Sequence, residues 1–368
     1  MLEVGDVHKT YKVRDRTGVF VYRRVQAVRG VSFVVHRGEN FGIIGESGCG
    51  KSTLSRLLSR LEPPDRGSIR YEGEEVGHLG GKRLLSLRRR FQLLLQDPYN
   101  AVPPHFPIGH SIGEPLRIHG LASGRALREK VADVMNEVGL SQTLYNELPV
   151  GLSAGQRQRV NIARAMVLDP DMLILDETLS ALDQVEQAKL LDLFESIQAR
   201  HRMTYIYISH DLAMVRRVCG RIAVMYLGRV VEDASNQTVF CSSGHPYTRA
   251  LLSAVPTVEH RPFASETYLL EGEPPDPVNI PPGCSFRTRC PFAFDLCATL
   301  DPGLYARGNG EQSACHLMRG DASPHPLFPI DPASSLQHPA FGQPSGESGI
   351  LVDGSADRDA RIKQGEAQ

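Results

Sequence analysis

The sequence predicts an α/β protein built on a parallel sheet with helices on both faces. Three observations lead there. Short, nearly all-apolar runs, "NFGIIG" (40–45), "DMLILDE" (171–177) and "MTYIYISH" (203–210), read as strands buried on both sides. Helical patterns stand between them, at 51–60, 124–140, 153–168 and 184–201. A glycine-rich turn, "GESGCGKS" (45–52), joins the first of these strands to the first helix.

The elements before and after this alternation differ from it. Residues 1–44 read as β-structure that alternates, turns at Arg37-Gly38 and runs into the first buried strand. Residues 97–150 begin irregularly, with Pro98, Pro103, Pro104 and Pro107, and then turn helical. From about Pro256 proline becomes dense, in "EPPDPVNIPPG", and periodicity fades, which places a domain boundary near residue 255. Beyond about residue 320 the chain is rich in Pro, Ser, Gly and Asp, and 321–368 reads as a disordered tail.

Bulk composition sets limits. The 368 residues carry a formal net charge of −1, which gives no reason to expect nucleic-acid binding. No run approaches the ~18 apolar residues of a membrane span, and "MLEVGDVHKTYKV" has no apolar signal core. Seven cysteines are too few for a disulfide scaffold. Four of them cluster near the C-terminal end, which points to a metal site or reactive chemistry.

The glycine-rich turn fits G-x-x-x-x-G-K-[ST] with a strand before it and a helix after it. Its residues, Gly45, Glu46, Ser47, Gly48, Cys49, Gly50, Lys51, Ser52 and then Thr53, would wrap N–H groups around phosphate oxygens at a helix N-terminus. Lys51 would reach the β- and γ-phosphates of ATP, and Ser52 would ligate Mg²⁺. "MLILDE" supplies the second half. Asp176 would hold the Mg²⁺ through water, and Glu177 would take the proton from the attacking water.

Four further elements follow in order: Gln96 in "LLLQDPY", "LSAGQRQRV" (152–160), "SALD" (180–183) and His210 closing "YIYISH". Over residues 1–255 this set resembles the ATP-binding subunit of ABC transporters. The resemblance implies a P-loop cassette: a RecA-like parallel-sheet core, an antiparallel β subdomain and a helical insert at about 97–160. It implies a head-to-tail dimer in which the phosphate loop of one subunit faces Ser153, Gly155 and Gln156 of the other. Ser153 also reads simply as a helix N-cap. Tyr11 would stack on adenine, or pack as a strand aromatic. Gln96 would sense Mg²⁺ and the γ-phosphate, His210 would hold the γ-phosphate, and Asp183 would reach across the dimer. Two residues depart from the family pattern: Ala154 where a first glycine is usual, and Thr178 where proline usually follows the glutamate.

"GHPYTRALLSAVP" (244–256) and the block "PPGCSFRTRCPFAFDLC…ACH" are similar to the subgroup that energises uptake of oligopeptides, dipeptides and, in some members, nickel. The ligands in this 256–320 extension would be Cys284, Cys290, Cys297 and Cys315, with gaps of five, six and seventeen residues. Four thiolates suit zinc or an iron–sulfur cluster, and packed thiols are the third reading. The wide gaps and the subgroup point to a 4Fe–4S cluster stapling the extension, shielded by Phe286, Phe292 and Phe294. Cys49 sits inside the phosphate loop, where alkylation would block ATP, while Cys219 and Cys241 read as small packed residues.

The expected function is ATP hydrolysis driving peptide import, at the cytoplasmic face of the membrane. The expected partners are two permease subunits, a second ABC ATPase subunit and, indirectly, an extracytoplasmic binding protein. The alternatives are a nickel or small-solute importer, and a soluble ABC ATPase uncoupled from transport. The latter class commonly carries coiled coils or paired cassettes, and this chain has neither.

Overall fold

The computed structural model describes residues 1–14, 22–94, 101–180, 182–253 and 272–319. Gln96 and the 321–368 segment lie outside the described residues.

Strands β1 (Leu2–Arg14) and β2 (Tyr22–Val35) pair antiparallel, and β3 (Asn40–Ile44) leads into the helix Lys51–Leu58. Next come β4 (Arg66–Tyr71), β5 (Glu74–Glu75) and β6 (Phe91–Leu94). Three helices, Ile108–Ile118, Gly124–Glu137 and Ala154–Met166, precede β7 (Met172–Asp176). The helix Gln184–His201 separates β7 from β8 (Thr204–Ser209). The chain continues through β9 (Arg221–Tyr226), β10 (Arg229–Ser235), β11 (Tyr305–Gly308) and β12 (Glu311–Ser313).

Two sheets result. The smaller is antiparallel, in the order β2-β1-β4-β5. The larger runs β11-β12-β10-β9-β3-β8-β7-β6, and β9, β3, β8, β7 and β6 pair parallel within it. Side chains alternate across a strand, so each buried strand must satisfy two cores. In β7, Met172 and Ile174 join the core shared with the antiparallel sheet, while Leu173 and Leu175 join the core under the helices. In β8, Ile206 and Ile208 face the first core and Tyr205 and Tyr207 the second. That two-sided demand is why these strands have no polar alternation.

The composition change near residue 255 is not a break in the packing of the described residues. β12 pairs with β10, Glu232 opposite Ser313 and Asp233 opposite Gln312, so the extension continues the large sheet. Glu232, with no solvent exposure, is answered from the extension by Arg307 at 3.1 Å. Phe286 inserts its ring against Tyr226 and Tyr247 of the cassette, centroids 5.3 and 5.4 Å away. A segment with few apolar residues thus leans on an existing core.

Candidate functional site

Three adjacent parallel strands end at the same edge of the large sheet. Ile44 lies opposite Ser209, and Asp176 opposite Ile208. The turn after β3, the acidic pair ending β7 and His210 after β8 are therefore brought together, at the edge where open α/β sheets hold ligands.

The turn after β3 has the backbone its motif requires. Gly50 has φ 107° and caps the helix that begins at Lys51. A Cβ there would run into the Ala27 carbonyl, so only glycine fits. Lys51 is buried, and its Nζ donates to the carbonyls of Gly45 at 2.7 Å and Glu46 at 3.0 Å. One cavity is lined by Ser47, Gly48, Gly50, Lys51, Ser52 and Thr53 together with Glu177, 25–27 of β2 and Pro277 of the extension. A glycine-rich turn, a helix N-terminus and a buried ammonium make it an anion site.

Asp176 is 6 % exposed, and its Oδ2 accepts from Ser55 Oγ at 2.7 Å. Its Oδ1 is buried without a hydrogen-bond partner. Burial pushes this carboxyl above its usual range, against the Ser55 hydrogen bond and the charge of Lys51. A desolvated carboxylate with one unsatisfied oxygen, bonded to Ser55 one helical turn after Ser52, suits a hard divalent cation such as Mg²⁺. Glu177 sits beyond it in a left-handed conformation, φ 48°, with its N–H donating to Ile208 O at 2.8 Å. His210 Nδ1 lies 3.3 Å from Glu177 Oε1. Glu177 lines both the phosphate cavity and the neighbouring one that holds His210. It is thus the residue through which the two converge.

Thr178, the departure from the proline pattern, has a structural use. It is 3 % exposed, and its Oγ1 donates to Leu94 O at 3.1 Å, tying the turn after β7 to the end of β6. Thr178→Val keeps the shape and removes that buried hydrogen bond. We expect it to lower stability by about 1 kcal/mol, read as a shifted urea midpoint. An unchanged midpoint would contradict the assigned role.

The other residues expected to meet nucleotide are divided between this cavity and exposed helix starts away from it. Tyr11 pairs across the strands with Val25, which lines the cavity, and its hydroxyl donates to Glu62 Oε2 at 2.7 Å. Ser153 caps the Ala154–Met166 helix: its Oγ accepts from Gln156 N at 3.2 Å, and Gln156 Oε1 accepts from Ser153 N at 3.0 Å. Ser153 and Gln156 are exposed, and with Gly155 they stay out of this chain's own phosphate cavity. A Cβ on Gly155 would meet the carboxylate of the Glu186 side chain. Asp183 caps the Gln184–His201 helix by accepting from Val185 N and Glu186 N.

The cysteines divide differently from the expectation. Cys49 is buried, and burial raises its pKa, so it is a poor target for alkylation. Cys219 is buried as expected, but Cys241 is exposed. Cys284, Cys290, Cys297 and Cys315 line one small cavity with all three phenylalanines, although Phe294 is 42 % exposed and shields little. Burial pushes Cys284 up to about 11 and Cys290 to about 12. Among the described residues no three His, Cys, Asp or Glu side chains are placed to hold a single metal ion. The expected metal-stapled extension therefore has its thiols gathered but no formed metal centre.

Sequence reasoning missed Pro277 and Arg289. Both come from the extension, and no local pattern marks them. Arg289 forms a two-pronged pair with Glu46 of the phosphate loop, 2.7 and 3.0 Å.

A phosphate loop, an acidic strand end and a histidine on neighbouring parallel strands define a nucleotide-binding cassette. The comparisons specify it, and the chain belongs to the ABC transporter family, whose pattern matches residues 28–180. A second family, the oligopeptide/dipeptide transporter C-terminal region, matches residues 231–297. The chain is 41 % identical over 351 residues to y4tS of Sinorhizobium fredii, named a probable peptide ABC transporter ATP-binding protein, covering 94 % of this chain and 97 % of that one. It is 40 % identical over 321 residues to the oligopeptide transport ATP-binding protein AppF of Bacillus subtilis, covering 86 % and 97 %. Among solved structures it is similar to the ATP-binding cassette MJ0796 in a dimeric post-hydrolysis state bound to ADP and Pi. There the TM-score is 0.57 at 26 % identity, over 64 % of this chain and 99 % of that one. Among the described residues no helix is long and apolar enough to cross a membrane.

Proposed function

We propose that this chain is the ATP-hydrolysing subunit of a peptide importer, docked at the cytoplasmic face of the membrane on two permease subunits. The observation that carries the ATPase is Glu177 lining the cavity built by Lys51 and Ser52, with His210 3.3 Å from its carboxylate. Lys51 and the loop N–H groups bind and neutralise the β- and γ-phosphates. Ser52 and Asp176 would hold Mg²⁺, which would supply charge neutralisation for the phosphates. Glu177 accepts the proton of the attacking water, and His210 orients that carboxylate and the γ-phosphate. Gln96 lies outside the described residues and keeps its expected role as a sensor of Mg²⁺ and the γ-phosphate; Tyr11 would bear on the adenine.

The exposed Ser153 cap supports a head-to-tail partnership. A helix N-terminus standing clear of its own phosphate cavity is free to close on a partner's. The partner is a second, related ATPase chain, and Asp183 reaches toward its site. Peptide reaches the permease from an extracytoplasmic binding protein, as suits the similarity to peptide transport relatives. The test is co-expression with candidate permease subunits. Expected are recovery of this chain with two membrane proteins and ATPase activity stimulated by peptide-loaded binding protein. A fully active ATPase that never associates with membranes would contradict the importer reading.

The donor set of the extension fits a 4Fe–4S cluster. Cys284, Cys290, Cys297 and Cys315 line one cavity, which brings the four candidate donors into one region of the extension. A cluster takes one thiolate at each iron, whereas zinc needs all four ligands around one centre. Such a cluster would staple the extension and take no part in hydrolysis. Anaerobically purified protein is expected to be brown, with about four irons per chain and a broad visible absorbance that Cys290→Ser abolishes. A colourless or zinc-loaded protein would overturn this reading.

A further inference from the structure

Glu46 is out of place in a loop that gathers phosphates. A carboxylate beside the nest repels a triphosphate, since like charges at close range in a partly desolvated site cost far more than in water. The structure answers it from 243 residues away. Arg289, lying between Cys284 and Cys290, places Nη1 2.7 Å from Glu46 Oε2 and Nη2 3.0 Å from Oε1. The Arg289 side chain is 4 % exposed and that of Glu46 23 %, so water screens this fork poorly.

The pair is wired into the loop. The Glu46 carbonyl accepts from Lys51 Nζ at 3.0 Å, and its N–H donates to Tyr247 Oη at 2.9 Å. A backbone shift at Glu46 would therefore move a contact of the phosphate-binding lysine. Pro277, from the same extension, lines the phosphate cavity itself.

We infer that Arg289 is a positioning residue of the nucleotide site: it neutralises Glu46 and holds it turned from the phosphates, so the cysteine-bearing extension sets the affinity for ATP. This rests on 45–52 being the ATP-binding loop, which Lys51→Ala tests independently. The experiment measures KM and kcat for Mg-ATP, with melting curves, on full-length Arg289→Ala, Arg289→Lys and the double variant Arg289→Ala/Glu46→Gln. Arg289→Ala is expected to raise KM about tenfold, with kcat within about twofold of the parent. The double variant is expected to return KM to within about threefold of the parent, because no carboxylate is left to repel. Arg289→Lys keeps the charge and loses the fork, and is expected to raise KM about threefold.

An unchanged KM in Arg289→Ala overturns the inference, as does a double variant no better than the single one, the pattern of a merely structural clamp. If Arg289→Ala does not fold, Arg289→Lys and the double variant decide on the same terms. Loss of ATP affinity in Lys51→Ala with an unchanged KM in Arg289→Ala rejects the inference alone. Retained affinity in Lys51→Ala rejects the site.

Discussion

Glu177→Gln is expected to leave ATP binding intact and to cut turnover about a thousandfold, within the range a positioned general base contributes. Glutamine has the shape of glutamate and keeps an oxygen toward His210, so the cavity edge is preserved. What is lost is the ability to take a proton from water. The outcome is specific: the variant retains stoichiometric nucleotide while phosphate release falls away. Phosphate release at saturating ATP, beside retained nucleotide after gel filtration, gives both readings. Equal turnover in the two proteins would remove Glu177 from the role of base. A loss of binding together with turnover would mean that the carboxylate holds the loop and not the water.

Lys51→Ala is expected to weaken ATP binding at least about a hundredfold and to abolish measurable hydrolysis. The buried ammonium is the full positive charge of the motif, and its hydrogen bonds to phosphate are charge-assisted. It also donates to the carbonyls of Gly45 and Glu46. The substitution therefore costs some stability, about 1–3 kcal/mol for the acceptors left unpaired. Melting curves separate that loss from the loss of affinity. A folded Lys51→Ala protein that binds ATP as the parent does would show that the nucleotide sits elsewhere.

The parts of the fold legible in the sequence are those whose constraints are local. β3, β7 and β8 are closed on both faces, so their apolar runs announce them. The phosphate loop is legible because glycine spacing, lysine and the following helix all sit within a few residues. β10 was hidden for the opposite reason. Its residues Glu232 and Asp233 are 0 % and 3 % exposed, where a sequence reading puts acids on the surface. Their partners, Arg307 and Arg221, come from elsewhere in the chain. The hairpin β11–β12 was hidden too, because short strands with mixed residues gain their order by pairing on β10. Thr178 departs from the proline pattern of the turn, and its hydrogen bond goes to a strand 84 residues earlier. The Arg289–Glu46 fork is of the same kind: each half is an ordinary charged residue until the fold joins them.

The most direct test is a structure of the Glu177→Gln protein with Mg-ATP. The triphosphate is expected in the 45–52 loop, with Lys51 on its β- and γ-phosphates. The cation is expected between Ser52 and Asp176, and the Ser153 helix of a second cassette is expected to close on the γ-phosphate. Nucleotide bound away from this loop, or Asp176 and Glu177 remote from the cation and γ-phosphate, would contradict this arrangement.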